Sequence, residues 1–184
     1  MNNFKKKIEK KIIKITNFSY INFFGRANTA IWAITLFLKK NNKKRSIILP
    51  ASMCVSPAII FLINGFKLIF VDVDKNTGLL DIKKVSKIIK KDNDICGLFY
   101  VNLFGNTEDL SSQINKIKKK NIVVIQDLAQ TFLYPTKKIN NKLIGDFIIL
   151  SFGYSKIFDL NHGGMVLSND SYFRLFGEKF DEGL

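Results

Sequence analysis

Short apolar runs and longer amphipathic segments alternate along most of this chain. The runs at 47–49, 68–73, 97–101 and 122–125 are almost wholly apolar and rich in β-branched and aromatic residues, the composition of strands covered on both faces. Between them, 55–64, 82–90 and 110–119 carry apolar residues at helical spacing. Strand and helix in alternation predict βαβ units with right-handed crossovers, hence an α/β fold: three layers, a mainly parallel sheet and helices on both faces. A further apolar run, 147–150, predicts another strand, and 165–167 follows the Gly163-Gly164 turn so closely that it is expected to return antiparallel. Toward the N-terminus, Phe4, Ile8, Ile12 and Ile15 share one face of a predicted helix over 4–16, with lysines on the others. Such an arm packs on the domain or on a partner subunit, membrane-surface binding being the alternative. A second helix is expected over 29–40, with Asn28 as its N-cap, and a last one from about residue 172. The chain therefore divides into a basic helical arm, 1–22, and one large domain, 23–184.

With 184 residues, 47% of them hydrophobic, the chain is long and apolar enough for a core of its own. Its two cysteines, Cys54 and Cys96, show neither disulfide nor metal spacing. With His162 the sole histidine, no metal site is expected, and a reducing cytoplasm fits best. The formal charge of +14 invites a nucleic-acid reading. The lysines, however, are spread along helical segments beside Ile and Asn, and neither an RNA-binding aromatic motif nor a finger spacing is present. The charge is read as a solvated surface, and no nucleic-acid partner is expected. Attraction to anionic partners, nucleotide-linked substrates among them, stays open. The first twenty residues lack the continuous apolar core of a secretory signal. The uncharged stretch 46–66 is interrupted by Pro50, Ser52, Ser56, Pro57 and Asn64, and reads as strand, turn and helix rather than a membrane span.

Two residues past these strands carry chemistry. Lys156 stands six residues beyond Leu150, and Asp127 stands two beyond Ile125, with Gln130 three further on. In a parallel sheet the crevice at the strand ends is where ligands bind, so a lysine and a carboxylate can converge there. A lysine in a dry pocket with a depressed pKa is a nucleophile toward aldehydes. A carboxylate leaving a strand either caps a helix or pairs with a protonated ring nitrogen. Neither residue alone decides between these; the pair does.

The pattern resembles the DegT/StrS group of sugar aminotransferases, which depend on pyridoxal 5'-phosphate (PLP) and share the aspartate-aminotransferase fold. The likeness runs through Gly25-Arg26 before Thr29-Ala30-Ile31, Leu49-Pro50-Ala51-Ser52-Met53-Cys54, and the segment from Gly65 to Asp74. It continues in Asn102-Leu103-Phe104-Gly105, Asp127-Leu128-Ala129-Gln130, Gly145-Asp146, Ser151-Phe152-Gly153-Tyr154-Ser155-Lys156 and Gly163-Gly164-Met165. The resemblance implies that 23–184 is the PLP-binding large domain. Lys156 would hold the cofactor and shuttle protons, Asp127 would face the pyridine nitrogen, and Gln130 the ring oxygen. Ser151, with the helix start at Asn28 and Thr29, would hold the phosphate. Here Arg26-Ala27-Asn28-Thr29 departs from the family's usual Ser-Gly-Thr pattern, and Cys54 stands where many members place an aromatic residue over the ring. His162 receives no role.

The implied reaction moves an amino group, from glutamate, to a keto group of a nucleotide-linked sugar, for amino sugars of surface polysaccharides. A homodimer is implied as well. Family members continue into a smaller C-terminal domain absent from this sequence, so the chain is expected to be a fragment or to work with another that supplies the rest. The competing readings are a non-catalytic remnant of such an enzyme, and a basic protein of nucleic-acid or membrane surfaces.

Overall fold

The computed structural model describes residues 3–105, 109–131 and 143–182. In chain order the elements are α1 (Asn3–Thr16), β1 (Tyr20–Phe24), α2 (Ala27–Asn41), β2 (Ser46–Pro50), α3 (Val55–Ile63), β3 (Lys67–Val71) and α4 (Ile82–Lys91). They continue with β4 (Ile95–Val101), α5 (Ser111–Lys118), β5 (Val123–Asp127), β6 (Phe147–Ser151), β7 (Gly164–Ser168) and α6 (Ser171–Glu182). The seven strands form one sheet in the order β1-β7-β6-β5-β4-β2-β3. Neighbouring strands from β3 to β6 are parallel, whereas β7 runs antiparallel to both β6 and β1. This is the expected α/β architecture, including the antiparallel return after Gly163-Gly164.

Alternation along each strand sorts the core into two faces. Ile47, Leu49, Phe99, Ile125, Phe147 and Ile149 point to the side covered by α2, α3 and α6, where Ala30, Ile34, Phe61 and Phe173 meet them. On the other side Ile48, Leu98, Tyr100 and Val124 pack under α4 and α5. The same side continues as Ile148, Leu150, Met165 and Leu167, covered by α1 through Ile8, Ile12 and Ile13. The arm therefore packs on the domain. The expected face is corrected at one position: Ile15 is 63% exposed, and Ile13 takes the inward place. Phe4 lies outside the described side chains.

Two further corrections concern the N-terminal half. The sequence pattern gave no strand at Tyr20–Phe24, yet this segment is the sheet's edge strand, bonded to β7 from Tyr20↔Ser168 to Phe24↔Gly164. Helix α2 starts at Ala27, so its N-cap is Arg26, extended at φ −149 and ψ 158, and not Asn28. Asn28 and Thr29 fall inside the first turn. Close packing fixes that start: a Cβ on residue 164 would lie 2.5 Å from the Ala27 nitrogen and the Arg26 carbonyl carbon. Glycine at the head of β7 lets the backbone of α2 rest directly on the sheet edge.

Candidate functional site

All the expected site residues lie on segments leaving the carboxyl edge of the parallel strands. Asp127 is the last residue of β5 and Ser151 the last of β6, while Cys54 leads from β2 into α3. The antiparallel strand β7 begins on the same edge, because Gly164 pairs with Ser151 on one side and with Phe24 on the other. The first turn of α2 lies against Gly164, so it reaches the edge beside Ser151. Within that turn the Ala30 amide donates to the Arg26 carbonyl at 3.2 Å, the first i to i−4 bond of the helix. The amides of Ala27, Asn28 and Thr29 are thus left without partners inside the helix, facing outward with the positive end of its dipole.

Lys156 sits in the loop 152–163, which is knitted to the sheet by short bonds. The Phe152 amide donates to the Gly163 carbonyl (3.0 Å), Leu160 to Phe152 (2.9 Å), and Gly163 to Gly25 (2.8 Å). The Asp159 carboxylate accepts from the amides of Ser155 and Asn161, at 3.1 and 2.8 Å. Ser155 and Asn161 take left-handed conformations, φ 61 and 69. Such a backbone is disfavoured for side-chain-bearing residues and needs surrounding bonds to persist. Here those bonds come from Asp159, and the Lys156 amide adds one to the Gly153 carbonyl at 3.2 Å.

Asp127 is 8% exposed, and its Oδ1 accepts from the Ala129 amide at 2.8 Å. Burial raises its pKa to about 6, opposed by that amide and by the positive charge of Lys156. The Cys54 thiol is lowered, first by the Ser56 hydroxyl (Sγ···Oγ 3.4 Å) and amide, and further by the Lys156 charge. Asp127 acts on Cys54 in the opposite sense. Lysine, carboxylate and thiol are therefore within electrostatic reach of one another, although the described ion pairs do not include one between Lys156 and Asp127. Gln130 lies in the turn that Asp127 opens, and its Oε1 is buried with no hydrogen-bond partner among the described residues. A buried oxygen without a donor is costly unless something else supplies one.

Of the polar groups beneath this turn, Asn102 stands in the sequence pattern only as the head of a motif, without a task, and Gln126 is passed over. Gln126 (4% exposed) and Asn102 (3%) are joined by a bond of 2.9 Å from the Gln126 Nε2 to the Asn102 Oδ1. The signal was available: a glutamine within the apolar β5 text, where a solvated side chain has no room. Among the described residues no three His, Cys, Asp or Glu side chains gather as a metal site.

The sequence profile of the DegT/DnrJ/EryC1/StrS aminotransferase family matches residues 5–174. The chain is 28% identical over 175 residues to a dTDP-4-amino-4,6-dideoxy-D-glucose transaminase of Shigella dysenteriae, covering 95% of this chain and 46% of that protein. It is 31% identical over 147 residues to a UDP-4-amino-4,6-dideoxy-N-acetyl-beta-L-altrosamine transaminase of Campylobacter jejuni, covering 78% and 38%. In fold it is similar to a Helicobacter pylori aminotransferase involved in the biosynthesis of pseudoaminic acid, with a TM-score of 0.83, 20% identity, and coverage of 97% and 47%. The chain spans about half the length of the curated relatives it matches.

Proposed function

We propose a function from one premise: the chain belongs to the DegT/DnrJ/EryC1/StrS aminotransferase family. It is the cofactor-holding half of a PLP-dependent enzyme that moves an amino group, from glutamate, to a keto group of a nucleotide-linked sugar. The observation that carries this reading is that the segments bearing Lys156 and Asp127 leave the same carboxyl edge of the sheet, with the lysine charge acting on the buried carboxylate. The surrounding groups fit PLP. Gln130 Oε1 is a buried acceptor in want of a donor, as the hydroxyl of the ring would provide. The free amides at the start of α2, at Asn28 and Thr29, with Ser151 beside them, suit a phosphate. Asp127, held by burial near a pKa of about 6, gains most from a cationic partner such as a protonated ring nitrogen.

Each side chain then has a task. The Asp127 carboxylate would keep a proton on the ring nitrogen, and the Ala129 amide holds its Oδ1 in place. Gln130 orients the ring oxygen. Lys156 Nζ would hold the cofactor and, once displaced by the donor amine, would remove and return the proton at the substrate carbon. When bound, PLP supplies the electron sink that stabilises the carbanion so formed. Cys54 occupies the place of a stacking aromatic and offers less contact area over the ring.

Other features support the wider reading. Val55, Ile59, Leu62 and Ile63 are exposed along α3, an apolar stripe that suits association with a second copy. Among the described residues no helix is long and apolar enough to cross a membrane. The buried, free Cys96 and the free Cys54 accord with a reducing cytoplasm.

Incubation with PLP tests the proposal. The protein is expected to gain a visible absorbance band, and borohydride should fix the cofactor on Lys156, read by peptide mass spectrometry. Attachment elsewhere, or none, overturns the assignment. Addition of glutamate should bleach the band; persistence of the band favours a cofactor-binding remnant without the amino-transfer half-reaction.

A further inference from the structure

The motif opened by Asn102 receives no task from the reading above, and neither do Gln126 and Thr131. We infer that these three residues form a buried clamp that positions Asp127 and Gln130 for the cofactor ring, an inference that rests on the PLP reading. Neighbouring residues of a strand point to opposite faces, so Gln126 is directed away from Asp127 and acts on it only through the backbone. Its Oε1 accepts from the amides of Ile144 (2.9 Å) and Gly145 (3.2 Å), while its Nε2 donates to Asn102 Oδ1. One side chain thereby ties the segment entering β6 to the segment leaving β4. The approach is close: a Cβ on residue 145 would lie 2.8 Å from the Gln126 Cβ.

Asn102 in turn holds both ends of the turn 127–131. Its amide donates to the Asp127 carbonyl at 3.1 Å, and its carbonyl accepts from Thr131 Oγ1 at 2.7 Å. Asn102, Gln126 and Thr131 are all buried. A satisfied buried network of this kind holds one arrangement, because each broken bond leaves a desolvated group unpaired. The turn so pinned carries the Asp127 carboxylate at one end and Gln130 one residue before the other. The three are positioning residues: none is assigned a contact with substrate or cofactor.

Thr131→Val is the direct test, since it removes the hydroxyl and keeps the shape. The expected result is PLP affinity weakened about five- to tenfold, the effect of one lost buried hydrogen bond. In the ligand-free protein the Asp127 carboxyl, followed by carbon-13 NMR, should titrate lower than in the wild type as water reaches the loosened turn. Lys156 and Cys54 face Asp127 in both proteins, so the difference reads the turn alone. Thr131→Ser should restore affinity and titration together. Should Thr131→Val fail to fold, Thr131→Ala is measured in its place. Lowered stability with affinity and titration both unmoved overturns the clamp. A wild-type chain that does not bind PLP overturns the cofactor reading instead, and this inference with it.

Discussion

Asp127→Asn is expected to make the ligand-free protein more stable while depriving it of its cofactor. The side chain is 8% exposed, and burial raises its pKa from the ordinary 3.8 to about 6. Because the folded value lies above the unfolded one, its favourable contribution is fully present below 3.8 and is lost as pH rises through about 6. At about 1.4 kcal/mol per pH unit, that interval amounts to about 3 kcal/mol, the upper limit of what the buried negative charge costs the empty protein at neutral pH. Asparagine keeps the shape and an Oδ1 acceptor for the Ala129 amide, but carries no charge. In urea unfolding without cofactor the variant should gain up to about 3 kcal/mol at about pH 8, and the gain should shrink to near zero at about pH 4. Added PLP should stabilise the wild type, where a cationic ring nitrogen answers the carboxylate, and leave the variant almost unmoved. A variant no more stable than the wild type at high pH, or one whose gain persists at low pH, refutes the reasoning.

Three other outcomes are expected. Lys156→Ala should abolish borohydride-fixed cofactor and move the Asp127 titration still higher, since the lysine charge is one of the groups holding it down; an unchanged titration by NMR would separate the two residues. Gly164→Ala should cost about 1–3 kcal/mol in chemical unfolding, because its methyl would press on the Arg26 and Ala27 backbone, and an unchanged midpoint would deny that close approach. Iodoacetamide on the native protein at neutral pH should label Cys54, whose pKa is lowered, and spare Cys96, which is buried and pushed up to about 11; equal labelling by mass spectrometry counts against both environments.

Periodicity made much of this fold legible. Strands covered on both faces must be apolar throughout, so β2, β4, β5 and β6 announced themselves, and the spacing of their helices implied parallel crossovers. The edge strand β1 did not, because Tyr20 and Asn22 interrupt its apolar text; it is a strand through its five-residue pairing with β7. The start of α2 escaped for a similar reason. Asn28 is the better capping residue by local chemistry, but the contact of Gly164 with the Arg26 and Ala27 backbone sets the boundary earlier.

The sequence by itself determined most of the strands and helices, β1 and the start of α2 excepted, and which side chains stand at or beyond the strand ends: Asp127, Gln130, Ser151 and Lys156. These follow from local rules, the period of a helix or strand and the residue types that end them. Only the tertiary structure decided the strand order, the bonds that join Asn102 to Asp127 and to Thr131, and the raised pKa of Asp127 under the opposed action of burial and Lys156. Those properties depend on hydrogen bonds and fields between residues far apart in the chain, and they acquire values only once the sheet has brought the residues together.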